Sequence, residues 1–584
     1  MRMLRFCCAG VGVLLASHAW GSDCHLGKYG TLPVEMVGGQ ATTMVKINGT
    51  PTRLALDTGA FYNTMSKAAA TSLSLRTRAL PIGVRIGGIG GSSDASYTDI
   101  KEFGVLDSTL HKIDFFVGGS DTGRGLLGAN LLDAADLELD LANGKATLFE
   151  ADHCNKVSMA YWTKAGIYDV ADIEPANSER DRRTFLSVTI NGKKVRALLD
   201  SGASFTLLTR DAAEHVGIDL KAPEVKPGKP TYGVGSKLVK TWIVPVDKFT
   251  VGTETIQHSQ MEVLDGGIGD GKTDMLLGVD FILAHHMFIA NSQKKVYFTY
   301  NGGRVFTFAT ASGDDDHAGA AAGDSPKTAN DYALRGQAHL SRGESKAAMA
   351  DLDEAIRMAP GQADYYAVRA RVLVAQKQPA AALSDLDKSL GLEPKNADAL
   401  LLRAQLRLAH EDRTGAAADV TAANTLVSAG STQARWIASL YIQLEQPTSA
   451  LPYLDDWIRL HSNDALLGSA LNQRCWARSL SNQMLEEALK DCRKAIKRDG
   501  ENPTYLDSLG LVQLRLGHYP DSIKAYEQAL AQRPQFAWSR YGLGLAKIRQ
   551  GQTDAGHADL VAAHAIDPQI EARAVKYGLG ATAP

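Results

Sequence analysis

After the first twenty residues the sequence has no run long and apolar enough to span a membrane. It also lacks an excess of either charge sign. Its 62 Lys and Arg stand against 65 Asp and Glu, a net charge of -3, so there is no electrostatic footprint for nucleic acid. No His-Glu-x-x-His and no Gly-x-Ser-x-Gly occurs, which removes zinc-peptidase and serine-nucleophile readings that rest on those motifs. The adjacent pair His285-His286 lacks the i, i+4 spacing of two helical metal ligands and reads as a core or surface pair. No metal and no cofactor is expected.

What is present begins with a leader. Arg2 and Arg5 precede the apolar run FCCAGVGVLLASHAW, and Ala19-Trp20-Gly21 has the small-x-small form of a cleavage site. Residues 1–21 therefore read as a secretory signal peptide, with an uncleaved anchor as the alternative. Asp23 stands where a lipobox would carry a small residue, so Cys24 does not read as a lipid-anchor site. Cleavage removes Cys7 and Cys8 and leaves Cys24, Cys154, Cys475 and Cys492, an even number suited to an oxidising compartment. The expectation is a secreted, periplasmic protein with pairing inside each neighbourhood, four free thiols being the alternative. A Cys24–Cys154 bond would fasten the two ends of one domain.

A chain of 584 residues exceeds a single core and suggests roughly three or four domains. From about Gly30 to Phe308, short β-branched runs alternate with turn signals, often Asn-Gly, which reads as mainly β. The order of features repeats inside this region. VKINGTPTRLALDTGA matches VTINGKKVRALLDSGA, with Asp57 and Asp200 143 positions apart (200 minus 57). Leu126-Leu127-Gly128 matches Leu276-Leu277-Gly278, 150 positions apart (276 minus 126). Two related lobes are expected at 22–155 and 184–308, joined by a polar linker at 156–183. The small, polar segment 309–328 reads as a flexible linker, its Asp314 to Asp316 run as solvated charge.

Beyond the linker the composition turns to Ala, Leu and Arg with a period of 34, as between Pro360 and Pro394 (394 minus 360) and between Pro534 and Pro568 (568 minus 534). This region resembles the tetratricopeptide (TPR) repeat, most closely where Leu509-Gly510, Gly517, Tyr526, Ala529 and Pro534 follow in order. The period implies about seven repeats over 329–570, the fourth and fifth degenerate, with 571–584 as a capping tail. Cys475 and Cys492 fall at the positions of Leu509 and Tyr526, which pack the two helices of a repeat together, so a disulfide there is sterically reasonable.

The duplicated β half resembles the retropepsin-like aspartic proteases on three ordered features found twice. These are Asp57-Thr58-Gly59-Ala60 and Asp200-Ser201-Gly202-Ala203; a glycine-rich flap at Arg85–Ser93 and, more loosely, at Thr231–Lys237; and the two Leu-Leu-Gly tripeptides. The resemblance implies an all-β bilobal acid-protease fold, here followed by an all-α solenoid. It implies an endopeptidase with Asp57 and Asp200 as the catalytic dyad, active as a monomer because one chain supplies both lobes. Two adjacent carboxylates that share one proton can activate water and protonate a carbonyl oxygen together. Gly59 and Gly202 let the backbone fold tightly beneath the carboxyls, and Thr58 and Ser201 cross-link the two loops. Ile89, Gly90, Val234 and Gly235 close over an extended peptide. Ala60 and Ala203 cannot donate a side-chain hydrogen bond to the carboxylates, from which a mildly acidic optimum is expected.

The TPR half implies a groove for a protein partner, either recruiting a substrate or binding a regulator. The alternative reading is a non-catalytic periplasmic peptide-binding adaptor or scaffold. One decoy remains: Gly266–Thr273 fits the phosphate-loop pattern, but its Lys-Thr leads into the Leu-Leu-Gly segment and not into a helix, so it reads as a surface loop.

Overall fold

The computed structural model describes residues 24–81, 84–121, 123, 125–163, 166–269, 271–303, 305–306 and 326–580. The leader read at 1–21 and nearly all of the linker read at 309–328 lie outside the described residues.

Each lobe is built on a two-residue hairpin. Asn48 and Gly49 both take positive φ (48° and 83°), as do Asn191 and Gly192 (49° and 83°), the geometry that matches the twist of the flanking strands. The hairpins pair Gln40–Ile47 with Thr50–Asp57 and Phe185–Ile190 with Lys193–Leu199. The second strand of each buries Leu54 and Leu56, or Ala197 and Leu199, and ends at its aspartate. The Leu-Leu-Gly segments then enter as short strands parallel to those ends, Gly128 beside Asp57 and Leu277 beside Leu199. Parallel neighbours require a long crossover. The chain between them provides it and carries the flap in each lobe.

A sheet shared by both lobes fastens them together, continuous through Asp169–Glu174 with the hairpin strand Phe185–Ile190 of lobe two. Strands His25–Pro33, Lys145–Asp152 and Asp136–Asp140 of lobe one continue through His285–Ala290 and Lys295–Tyr300 of lobe two. At the seam Leu137 faces Ile289 and Leu139 faces Met287. The segment read as an inter-lobe linker contributes a strand to this sheet, Asp169–Glu174, which pairs with Lys295–Tyr300. Its polar composition hides the alternation of Ala171 and Ile173, which pack on the main core. Both disulfides form, Cys24–Cys154 across the ends of lobe one and Cys475–Cys492 inside the fifth repeat.

The helical half is seven antiparallel pairs, from Ala329–Ser341 to Thr553–Ile566, followed by the helix Ile570–Lys576. Ile570, Ala574 and Leu579 cover the apolar end of the last pair, as a capping element must. An arginine recurring every 34 residues links the layers. Arg369 binds Asp385 in its own repeat and Asp353 in the preceding one, and Arg403 does the same with Asp419 and Asp387. The array packs on the β half at several places. Helix Ala329–Ser341 lies against strand Glu35–Val37 and the turn Leu141–Asn143. Much further along, the connection 461–466 reaches the rim of the cleft between the lobes, where Ala465 donates its backbone N–H to Ser120 Oγ at 2.8 Å.

Candidate active site

Both aspartates lie at strand ends, where the chain leaves the sheet for a tight turn. Asp57 Oδ1 accepts from the N–H groups of Gly59 (3.0 Å) and Ala60 (2.7 Å), and Asp200 Oδ1 from those of Gly202 (2.9 Å) and Ala203 (3.1 Å). Each carboxyl thus commits one oxygen to its own loop. Across the cleft the two carboxyls lie close together, each set against the active-loop glycine of the opposite lobe, Asp200 against Gly59 and Asp57 against Gly202. Burial pushes the Asp57 carboxyl well above the usual carboxylate range, and the neighbouring Asp200 charge pushes it further. Burial also raises Asp200, against the opposing effects of the hydrogen bonds from Asp57, Gly202 and Ala203 and of the Arg183 guanidinium. Two buried carboxyls this close resist ionising together, which favours a state in which at least one of them is protonated.

The loops are locked by reciprocal hydrogen bonds. Thr58 Oγ1 donates to Leu199 O (2.7 Å) and accepts from Ser201 N–H (3.0 Å), while Ser201 Oγ donates to Leu56 O (2.9 Å) and accepts from Thr58 N–H (3.1 Å). All four are buried, and they cross from one lobe to the other. Behind them Gly128 N–H donates to Asn63 Oδ1 (2.9 Å) and Gly278 N–H to Thr206 Oγ1 (3.0 Å). Asp280, which accepts from both the N–H and the hydroxyl of Thr206, is pushed up to about 6 by burial.

The dyad forms part of the lining of a cleft of about 800 Å³ whose walls are mostly apolar, including Phe61, Tyr62, Ile86, Phe205, Leu207 and Ile268. Ile89 and Val234, from the two flaps, also line it. The first flap is a hairpin of Arg85–Gly88 with the strand beginning at Gly91, and its tip is Ile89-Gly90. The second is no hairpin. Apart from a single bridge between Thr231 and Val239 it has no strand pairing of its own among the described residues. It lies against the first flap, with Gly233 and Gly235 donating backbone N–H groups to Ile89 O (3.3 and 3.1 Å).

Some cleft residues escaped the motif-based reading. Arg183 lies in the cleft, bidentate to Asp181 (2.9 and 2.8 Å), with its guanidinium over the rings of Phe61 and Phe185. Its counterpart in lobe one is Gln40, which also lines the cleft. Both stand 17 residues before their aspartate (57 minus 40, 200 minus 183), a spacing the internal repeat contains but no motif marks. Tyr232, next to the second flap's glycines, lines the cleft as well.

The decoys find other uses. Gly266–Thr273 includes a turn bridged from Ile268 to Thr273 and leads into strand Met275–Leu277, with no helix to present N–H groups to a phosphate. His285 and His286 are buried in a strand, facing Glu254 (3.1 Å) and Glu138 (2.9 Å). Among the described residues no cluster of three or more metal-ligating side chains occurs. None of their helices is long and apolar enough to cross a membrane.

A family model described as aspartyl protease matches residues 43–131 and 186–281, one segment in each lobe. TPR models match 332–362, 367–428 and 514–551. No curated protein matches the chain. Similar solved structures include YrrB, a TPR protein with an unusual peptide-binding site, at 22% identity over 32% of this chain and 95% of that one, TM-score 0.28. A tetratricopeptide repeat protein from Parabacteroides merdae is 15% identical over 43% of this chain and 98% of that one, TM-score 0.34. Pseudomonas aeruginosa pilF is 19% identical over 36% of this chain and 95% of that one, TM-score 0.31.

Proposed function

We propose that this chain, whose β half belongs to the aspartyl protease family and whose helical half is a TPR array, is an aspartic endopeptidase that assembles its dyad within one chain. The observation that carries this reading is the close approach of Asp57 and Asp200, two buried carboxyls held by matching loops in the lining of a peptide-sized cleft. In this proposal the proton is assigned to Asp57, the carboxyl that burial and the neighbouring Asp200 charge raise well above the usual range, while the pair titrates as a unit.

The reaction then follows. Asp200 takes a proton from a water molecule as its oxygen attacks the scissile carbonyl carbon, and Asp57 gives its proton to the carbonyl oxygen. A neutral tetrahedral diol results. As the C–N bond breaks, Asp200 passes its proton to the departing nitrogen and Asp57 recovers one from a diol hydroxyl. The pair returns to its starting state and releases a carboxylic acid and an amine. The apolar walls and the flaps exclude bulk water, which strengthens the electrostatics of the shared proton.

The TPR array is the part of the chain built to hold a protein partner, and a recruited substrate or a regulator is the occupant proposed for it. Export to the periplasm belongs to the same proposal, supported by the two disulfides. Incubation of a peptide library with the wild type and with Asp200→Asn tests the reading. Cleavage by the wild type alone is the expected outcome. An equal cleavage pattern from both proteins would refute it, and peptide binding without any cleavage would favour the adaptor.

A further inference from the structure

The two flaps are held in different ways. The first is self-supporting, its strands paired from Arg85 opposite Asp94 to Gly88 opposite Gly91. The second, from Thr231 to Val239, turns three consecutive backbone acceptors outward. Val234 O accepts from Ser120 N–H at 3.1 Å, Gly235 O from Ser120 Oγ, and Ser236 O from Arg498 Nη2. Ser120 belongs to the loop that precedes Leu126-Leu127-Gly128 in lobe one. Arg498 belongs to the last turn of the TPR helix Leu485–Asp499.

These two side chains are themselves held by the array. Ser120 Oγ, while donating to the flap, accepts from the backbone N–H of Ala465 (2.8 Å). The neighbouring Asp121 accepts from Nε2 of buried His461 (3.0 Å) and donates its own N–H to Asp464 Oδ2 (2.6 Å). Arg498 Nη2 also donates to Asp464 O (2.5 Å), so one guanidinium nitrogen joins the array's 461–466 connection to the flap. Two tethers, one through Ser120 and one through Arg498, therefore run from the array's 461–466 connection to consecutive carbonyls of a segment whose Tyr232, Gly233 and Val234 line the substrate cleft.

We infer that the TPR array is a working part of the cleft, with Arg498 and Ser120 as positioning residues that hold the second flap over the substrate. The inference rests on the peptidase reading for its kinetic consequence but not for its structural one. A flap without an internal strand ladder has little to fix its backbone. Hydrogen bonds from a charged donor and from a hydroxyl anchored at both ends replace that ladder. The flap touches substrate but not the reacting atoms, so its loss acts on peptide binding more than on chemistry.

Hydrogen–deuterium exchange of residues 231–239 in the full-length, disulfide-bonded protein tests this directly. In Arg498→Ala, and separately in Ser120→Ala, exchange there is expected to rise about tenfold, the order implied by loss of one charge-assisted or doubly engaged hydrogen bond. Residues 85–91 are expected to rise less. Arg498→Lys, which keeps a cationic donor, is expected to recover much of the protection. KM for a cleaved peptide should rise several-fold in the alanine variants, on the order of one lost hydrogen bond, with kcat and its pH profile nearly unchanged. Wild-type exchange at 231–239 in both alanine variants would overturn the inference. Exchange reads the flap and not the chemistry. A wild type that cleaves nothing while the variants lose protection would remove the peptidase reading and leave the tether standing.

Discussion

Gly59 lies so close to Asp200 that a Cβ on it would come within 2.3 Å of the Asp200 carboxyl carbon, and Gly202 stands to Asp57 in the same way at 2.2 Å. Each glycine thus makes room for the aspartate of the opposite lobe. Gly59→Ala or Gly202→Ala should push the carboxyls apart and break their shared proton. The expected result is a loss of peptide cleavage of at least about a hundredfold, comparable to misplacing a catalytic group by 1 Å. Circular dichroism should show the fold retained, and cleavage within twofold of wild type would contradict the geometry.

Asp57→Asn should abolish cleavage and also stabilise the protein at neutral pH. The sign follows from the direction of the shifts. Both carboxyls are raised by burial, so the folded state binds a proton that the unfolded chain has already released above about pH 4. That contribution is fully present below the unfolded value and is lost as pH rises through the folded one. Removing one acid leaves no pair to repel. Thermal melts of the two proteins should therefore diverge as the pH is raised and converge in acid, and parallel curves at all pH values would count against the buried pair.

Thr58→Val keeps the volume of the side chain but deletes the hydroxyl that donates to Leu199 O and accepts from Ser201 N–H. Two buried backbone groups lose their partner, at about 1–3 kcal/mol each. A fall in thermal stability together with reduced cleavage is expected. Ser201→Ala, which frees Leu56 O and Thr58 N–H, should behave alike. Loss of stability from one substitution and not from the other would show the cross-link to be unsymmetrical.

Asp507, fully enclosed in the sixth repeat, accepts from Ser539 Oγ (2.6 Å), and burial pushes its carboxyl up to about 7. With the folded value above the unfolded one, its contribution to stability is present in acid and is lost as pH rises through 7. Asp507→Asn retains an acceptor for Ser539 and has no charge to bury. The wild-type array should melt lower at pH 8 than at pH 6, and the variant should show a smaller difference. An identical pH dependence in both would place the effect elsewhere.

The pairing of Asp57 with Asp200 was legible because a duplicated Asp-hydroxyl-Gly-Ala after an apolar strand is local chemistry, written in adjacent letters twice. The seven helical pairs were legible for a similar reason, since a 34-residue period repeats one local packing solution. Cys24 and Cys154 could be paired because they bracket a single lobe. Strand Asp169–Glu174 was not legible: half of it is acidic, and its β character comes from a neighbour, Lys295–Tyr300, that is remote in sequence. Arg183 was missed because no local pattern surrounds it, and only the distance to the following aspartate, shared with Gln40, hints at its place.

By itself, then, the sequence determined two β lobes, a helical solenoid and the two acids that meet between the lobes, because periodicity and turn chemistry act over a few residues. Only the tertiary structure decided that the lobes share a sheet through Leu137 and Ile289, and that Arg498 reaches back some 260 positions to a carbonyl of the second flap, a separation of 262. Hydrogen bonds to backbone carbonyls carry no side-chain signature at the acceptor. Contacts of that kind become visible only once the chain has folded back on itself.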